Sequence, residues 1–93
     1  MNNNLKRKYL AEFKRLREIV NRIDPAGLVS GGAPFDEYDQ EISELLVKTK
    51  NIFDQKKIQE IIKKVFIDAL GNDSIINKNF DKEIAKELKN NEG

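Results

Sequence analysis

The segment from residue 24 to residue 44 constrains the fold most, because it interrupts a chain whose remaining sequence is patterned as helix. It holds both prolines and three of the five glycines, together with six carboxylates and no Lys or Arg. Since proline disfavours the α-helical region for the residue before it, we predict that the first helix ends at Asp24. The glycines predict a loop that is loosely held at residues 30–32, with Leu28 and Tyr38 anchoring its two ends.

Apolar residues recur every three or four positions through most of the chain, which is the spacing of one helical face. No alternation of period two is long enough to indicate a strand. The predicted N-caps are Asp36 for the second helix, Asp54 for the third, and Asn77 or Asn79 for the fourth. We therefore predict one all-α domain over residues 1–93, a small three- to four-helix bundle with a Gly/Pro-rich loop between the first two helices. The predicted helices span about 5–23, 36–50, 54–70 and 79–90.

The predicted core is small, because a chain of this length buries only about 60–65% of the surface that its unfolded form exposes. The face of the first helix that carries Leu5, Tyr9 and Phe13 is predicted to point into this core. The third helix has the clearest amphipathic pattern, so its apolar face is expected to lie at the centre. The expected core residues are Phe13, Leu16, Val20, Ile42, Leu45, Ile61, Ile62, Val65 and Phe66.

Three residue types are missing from the chain, namely Cys, His and Trp. Their absence excludes disulfides, thiolate sites, imidazole general bases and any Ser-His or Cys-His nucleophile pair. No apolar run approaches the roughly 20 residues that a membrane-spanning helix needs. The N-terminus has charged residues but no apolar h-region of a signal peptide. We expect a non-enzymatic, cytoplasmic protein that needs no cofactor or metal and contacts no membrane.

The charge of the chain is unevenly distributed along the sequence. Residues 24–44 carry six acidic and no basic side chains, whereas residues 1–23 carry seven basic and two acidic ones. A metal site is disfavoured because no Asp-x-Asp-x-Asp-Gly loop is present, and sugar hydrolysis needs a deeper cleft than a small helical chain forms. Two interpretations of these acidic residues remain. They either cap helices and keep the chain soluble, or they form an acidic surface that binds a basic partner. The candidate partner-binding residues, here called the acidic cluster, are Asp36, Glu37, Asp39, Glu41 and Glu44.

The basic residues of the first helix allow two interpretations. They are spread over the whole outer arc of the helix, which is typical of a solvated face. A nucleic-acid interface would instead gather them into one stripe, with Arg7, Lys14 and Arg17 as test positions. The glycines at residues 30–32 do not indicate a phosphate-binding loop, because no Lys follows them and no strand precedes them.

A series of short motifs in the central segment is unusual for generic helical sequence. The motifs are Asp24-Pro25, Gly27-Leu28, Gly32-Ala33-Pro34, Asp36-Glu37-Tyr38-Asp39 and Glu41-Ile42. They resemble the YugE-like family of small bacterial helical proteins of unknown function, and the likeness extends more loosely over about two-thirds of the chain. The resemblance implies a compact helical fold without known enzymatic activity. Such proteins also resemble immunity proteins encoded beside bacterial toxins, although the basic first helix and the C-terminal segment depart from the family pattern.

The sequence therefore predicts a protein-binding module, and most specifically an immunity-type protein that neutralises a cognate bacterial toxin. In this hypothesis the acidic cluster contacts a basic toxin domain, because opposite potentials speed encounter and favour association. The alternative hypothesis is a small nucleic-acid-binding or regulatory helical protein that uses the basic first helix.

Overall fold

The computed structural model describes residues 3–90 and contains four α-helices and one short 3₁₀-helix. The helices are α1 (Asn3–Ile23), α2 (Asp39–Lys48), α3 (Gln55–Leu70) and α4 (Phe80–Asn90), and the 3₁₀-helix Asn72–Ser74 lies between α3 and α4. Within the described range there is no β-strand, so the predicted all-α class is confirmed. None of the described helices is both long enough and apolar enough to cross a lipid bilayer.

Each helix packs against two others, and the four form a ring around one core. Helix α1 packs against α2 and α4, and α3 packs against the same two helices from the other side. Helices α1 and α3 therefore lie diagonally across the bundle. The core residues shared by all four helices include Leu16, Val20, Ile42, Leu45, Ile58, Ile62, Val65, Phe66, Ile84 and Ala85.

Three aromatic rings connect the elements at the centre of this core. Phe66 of α3 lies edge-to-face against Tyr38 at 6.0 Å and against Phe80 of α4 at 5.5 Å, measured between ring centroids. All three residues are almost fully buried. Such pairs are worth roughly 0.5–1.5 kcal/mol each beyond the area that they bury. Phe66 therefore couples the start of α2 to α4 through α3.

The N-terminal half of α1 lies at the edge of the core, which corrects the prediction for Tyr9. Tyr9 is 40% exposed, and Phe13 is only partly buried. The side chain of Leu5 lies outside the described residues. The physical reason is length: with a rise of about 1.5 Å per residue, the 21 residues of α1 extend well past the 10 residues of α2. The early turns of α1 therefore lack a full cover.

The predicted N-cap Asp54 is confirmed, and the predicted N-cap Asp36 is wrong. Asp54 caps α3, since its side chain accepts the N–H of Lys56 at 3.0 Å. Asn77 accepts the N–H of Asn79 at 3.1 Å just before α4. Asp36 does not cap α2, because residues 35–38 form turns and the helix begins only at Asp39. The position before Asp39 is occupied by Tyr38, whose side chain is drawn into the core and makes no capping bond.

Truncating a central side chain of α3 should cost a large part of the stability of this small domain. We expect Phe66→Ala or Ile62→Ala to lower the free energy of unfolding by about 2–5 kcal/mol, because both side chains are fully buried. Val47→Ala is the matched control, since Val47 is 70% exposed and should change stability by less than about 0.5 kcal/mol. Urea denaturation followed by circular dichroism measures all three; equal losses in core and control variants would contradict this core.

Candidate functional site

The loop between α1 and α2, residues 24–38, is organised by the hydroxyl of Tyr38. This side chain is fully buried, and its O–H donates a hydrogen bond of 2.6 Å to Oδ1 of Asp24. The hydroxyl oxygen of Tyr38 also accepts the backbone N–H of Ala26 at 3.1 Å and that of Leu28 at 3.4 Å. A single phenol at the start of α2 therefore bonds to three groups that follow the end of α1.

The carboxylate of Asp24 holds the next part of the loop. Its oxygens accept the N–H of Val29 at 3.1 Å and that of Ser30 at 2.9 Å. The three amides that follow, at residues 31–33, bond back to the carbonyls of residues 27–29 at 2.9–3.0 Å. The glycine pair predicted to be loose thus has a hydrogen-bond partner for each backbone N–H, although both glycines are exposed. Asp24 itself takes a left-handed backbone conformation, with φ of 52°.

This network shifts the pKa values of both side chains. Burial raises the pKa of the Asp24 carboxyl, but hydrogen bonds from Tyr38 and from the backbone of Ser30 and Val29 outweigh it and hold the pKa below its usual value. Burial, and then the hydrogen bond to Asp24, raise the pKa of Tyr38 to about 12. The network is therefore built for a neutral phenol that donates to an ionised carboxylate.

Removing the Tyr38 hydroxyl should destabilise the fold and change how its stability depends on pH. Tyr38→Phe leaves the Asp24 carboxylate and two N–H groups without this partner, so we expect a loss of about 1–3 kcal/mol at pH 7. In the wild type the contribution of the hydroxyl is complete below pH 10 and disappears as pH rises towards the folded-state pKa of about 12. Unfolding free energies at pH 7, 9 and 11 measure this effect.

Tyr9→Phe serves as the control, because the hydroxyl of Tyr9 is at the surface, where its one hydrogen-bond partner among the described residues is Ser43 at 3.1 Å. The difference in unfolding free energy between wild type and Tyr38→Phe should narrow between pH 9 and pH 11, and Tyr9→Phe should lower stability at pH 7 by less than Tyr38→Phe does. The contribution of Asp24 to stability has the opposite pH dependence. Because the pKa of its carboxyl is lowered in the folded state, the ionised carboxylate stabilises the fold above the unfolded-state pKa, and this stabilisation is lost as the pH falls through the folded-state pKa. A Tyr38→Phe variant as stable as wild type at pH 7 would contradict the role of the network.

A second clamp joins α1 to the start of α2 through Arg17. Its guanidinium donates to both carboxylate oxygens of Asp39, with the Nε bond at 2.8 Å. The same group lies over the rings of Phe13 at 5.2 Å and Phe35 at 4.8 Å from their centroids. The amide of Asn21 donates to the carbonyl of Phe35 at 2.6 Å. Asp39, predicted to contact a partner, is thus engaged within the chain and positions the turn before α2.

The acidic cluster is divided by the fold into exposed and covered members. Asp36 and Glu37 are exposed in the turns that precede α2. Glu44 is about half exposed and forms an i, i+4 ion pair with Lys48 at 2.8 Å, as its spacing from that lysine predicts. Three of the five predicted carboxylates, which we call the acidic edge, are accessible: Asp36, Glu37 and Glu44.

Glu41 is the buried member of the cluster, with only 8% of its surface exposed. Burial raises its pKa, and the negative charges of Glu37, Glu44 and Asp39 raise it further. A hydrogen bond from the backbone of Glu41 itself lowers the pKa, but burial and the neighbouring charges outweigh it. Its charge adds to the potential of the acidic edge, but its side chain is poorly placed for direct contact with a partner.

Neutralising Glu41 should stabilise the chain at neutral pH. A carboxyl whose folded-state pKa lies above the unfolded value is penalised once it ionises, so the penalty is absent in acid and complete above the folded-state pKa. We expect Glu41→Gln to unfold at higher denaturant than wild type at pH 7, with the difference vanishing near pH 3. Glu60→Gln, at an exposed position of α3, is the control and should show neither effect. A Glu41→Gln variant that is less stable than wild type at pH 7 would refute this interpretation.

The basic residues of α1 are partly used inside the molecule. Arg15 and Arg22 both approach the carboxylate of Glu87 in α4, at 3.7 and 3.6 Å, and Arg17 is held by Asp39. The remaining basic residues of α1 are exposed and lie mainly in its first half: Lys6, Arg7, Lys8 and Lys14. The outer arc therefore contains ion pairs between helices as well as solvated charges.

The described residues contain no group of three or more potential ligating side chains arranged to hold a metal ion. Comparison of the chain with protein-family models, with curated proteins and with solved structures found no match. The resemblance to the YugE-like family therefore stays a prediction that rests on the motifs of the central segment.

Proposed function

We propose that this chain is a non-enzymatic protein-binding module that contacts a basic partner through the acidic edge. The most specific form of the proposal is an immunity-type inhibitor of a bacterial toxin domain. The observation that carries it is that three exposed carboxylates lie on a segment held by two internal clamps, the Tyr38–Asp24 network and the Arg17–Asp39 bridge. A surface fixed before binding loses less conformational entropy in the complex.

The charge pattern favours a basic partner. All six charges between residues 24 and 44 are negative, and opposite potentials across an interface increase the association rate and the specificity. Toxins that cleave nucleic acids need basic surfaces to hold phosphates, so an acidic helix start can occupy such a surface as a substrate mimic. Glu41 and Asp39 support this potential, although one is buried and the other is paired with Arg17.

An exposed aromatic side chain next to the acidic edge supplies an apolar anchor. Phe35 is 64% exposed and directly precedes Asp36, and its ring rests on the guanidinium of Arg17. Aromatic residues surrounded by charged groups are frequent energetic centres of protein interfaces. The proposed contact therefore combines one oriented ring with the carboxylates of the acidic edge.

The alternative of nucleic-acid binding rests on the exposed basic residues in the first half of α1. Salt-dependent binding of RNA or DNA that is lost in an Arg7→Glu, Lys14→Glu variant would favour this alternative. Arg17 is unsuitable for the test, because its replacement would also break the clamp on Asp39. We place this function second, since three arginines of the helix already bind carboxylates within the chain.

The proposal predicts that a reading frame beside the gene of this chain encodes a basic toxin domain, and that the acidic edge binds it. Asp36→Lys, Glu37→Lys and Glu44→Lys together should raise the dissociation constant at least about tenfold at roughly 0.05 M salt. The salt dependence of the remaining affinity should become weaker, because fewer opposite charges meet. Titration calorimetry at two salt concentrations, together with a growth assay of toxin neutralisation, measures both effects.

A control variant with the same change in net charge is Glu60→Lys, Asp73→Lys and Glu83→Lys, at exposed positions on other elements. This variant should retain affinity within about twofold, and circular dichroism should show both triple variants to be helical. If the toxin domain binds the acidic-edge variant as tightly as wild type, the acidic-surface mechanism is wrong. If no neighbouring frame encodes a toxin domain, the immunity-type assignment is wrong.

A further inference from the structure

A groove with an apolar floor opens at the other end of α2, away from the acidic edge. It lies where α1, the connector after α2, the start of α3 and the end of α4 meet, and its volume is about 810 Å³. The aliphatic residues of its floor are Leu16, Ile19, Leu46, Ile52, Ile58 and Leu88. Leu16, Ile19 and Ile58 are buried at its base. The accessible aliphatic surface is therefore that of the partly exposed lining residues Leu46, Ile52 and Leu88.

Two aromatic side chains form the rim of the groove, Tyr9 at 40% and Phe53 at 76% exposure. Phe53 has the largest exposed fraction of the large apolar residues in the described part of the chain. The connector that presents it is locally ordered, since the N–H of Ile52 bonds to the carbonyl of Thr49 at 3.0 Å and Asn51 turns the chain with φ of 65°. An exposed phenyl ring beside aliphatic residues is typical of a docking surface.

The charged residues of the groove lining are three basic ones, Lys8, Arg15 and Lys50, and two acidic ones, Glu12 and Glu87. Lys8 of α1 and Lys50 of the connector after α2 are exposed members of the lining. The carboxylate of Glu87 lies between Arg15 and Arg22 and is neutralised by them. Glu12 is then the one acidic residue of the lining without an ion pair among the described residues, so the unpaired charges of the described lining are positive on Lys8 and Lys50 and negative on Glu12.

We propose that this groove binds an amphipathic helical segment of a partner protein, with acidic residues flanking the apolar face of that segment. The aliphatic floor suits apolar side chains spaced at i, i+3 or i+4, and i+7, which is how helices dock into grooves. Lys8 and Lys50 then attract the carboxylates that flank this apolar face. Single-stranded nucleic acid suits the site less well, because its bases stack on successive aromatic side chains, whereas six lining residues of the groove are aliphatic and two, Tyr9 and Phe53, are aromatic.

The site is separate from the proposed toxin contact. No residue of the acidic edge lines the groove, and the two surfaces attract partners of opposite charge. A chain that carries both can hold two partners at once, or can join an acidic helical segment to the basic protein that the acidic edge binds. The groove proposal does not depend on the immunity-type assignment.

Two synthetic peptides test the proposal directly. Both have the same apolar residues at i, i+4 and i+7; one carries Glu and the other Lys on the flanking positions. We expect the Glu peptide to bind at least about tenfold more tightly at roughly 0.05 M salt, with a smaller ratio at roughly 0.5 M. Fluorescence anisotropy measures affinity, and amide shifts in two-dimensional NMR spectra should place the peptide beside Leu46 and Phe53.

Matched variants distinguish the groove from the rest of the surface. Phe53→Ser should weaken binding of the Glu peptide at least about fivefold, whereas Val47→Ser, at an equally exposed position outside the groove, should have little effect. Lys8→Glu with Lys50→Glu should abolish the preference for the Glu peptide.

Three results would overturn the proposal. The first is no binding of the Glu peptide at concentrations up to about 1 mM. The second is equal losses in the Phe53→Ser and Val47→Ser variants. The third is a mixed-sequence single-stranded oligonucleotide that occupies the groove more tightly than the Glu peptide, which would assign the site to nucleic acid. Charge reversal of the acidic edge should leave peptide binding within about twofold of wild type, so failure of the proposed toxin contact would be seen separately.

Discussion

The hydrogen bond between Tyr38 and Asp24 is the interaction on which the connection between α1 and α2 depends. The aromatic ring of Tyr38 packs on Phe66 in the core, so its hydroxyl is withdrawn from water. A buried hydroxyl without a partner costs about 1–3 kcal/mol. Asp24 supplies that partner only because the chain reverses at the end of α1, and the same carboxylate then binds the amides of the returning loop. Core packing and loop conformation are thus linked through one oxygen atom.

The Arg17–Asp39 bridge complements this network by fixing the opposite flank of the α2 start. Tyr38 enters the core, while the next residue, Asp39, faces α1 and is held by a two-point hydrogen bond. Residues 36 and 37 are left outside both clamps, and their carboxylates therefore face solvent. The exposure of Asp36 and Glu37 in the acidic edge follows from these internal constraints, because the turns that lead into the clamped residues 38 and 39 leave both side chains in solvent.

Helical periodicity was sufficient to predict the fold class, the four helices and most core residues, because a repeating apolar face is a property of the sequence alone. The predicted start of α2 is wrong by three residues, because Asp36 suits an N-cap locally, whereas burial of Tyr38 decides where the helix begins.

The two clamps could not be predicted, because their partners lie far apart in the sequence. The sequence indicates Asp24 only as a helix end, since its partners are five to fourteen residues away in an aperiodic loop. It places Arg17 on a solvated arc, because nothing local to α1 indicates Asp39, 22 residues further along. The spacing of the carboxylates likewise does not separate Glu41 from its exposed neighbours, although the structure buries Glu41.

The net charge of +1 is compatible with an acidic contact surface, because the two signs of charge act at different places. Charges in solution are screened over a Debye length of about 8 Å at physiological ionic strength, whereas the longest dimension of the described chain is 40 Å. Lys8 is nine residues before Arg17 on α1, about 14 Å along the helix from the point where Arg17 meets α2. A partner at Asp36 and Glu37 therefore meets a locally negative potential, although the chain as a whole is slightly positive. The overall charge consequently says little about either partner, and local charge reversals are the informative perturbation.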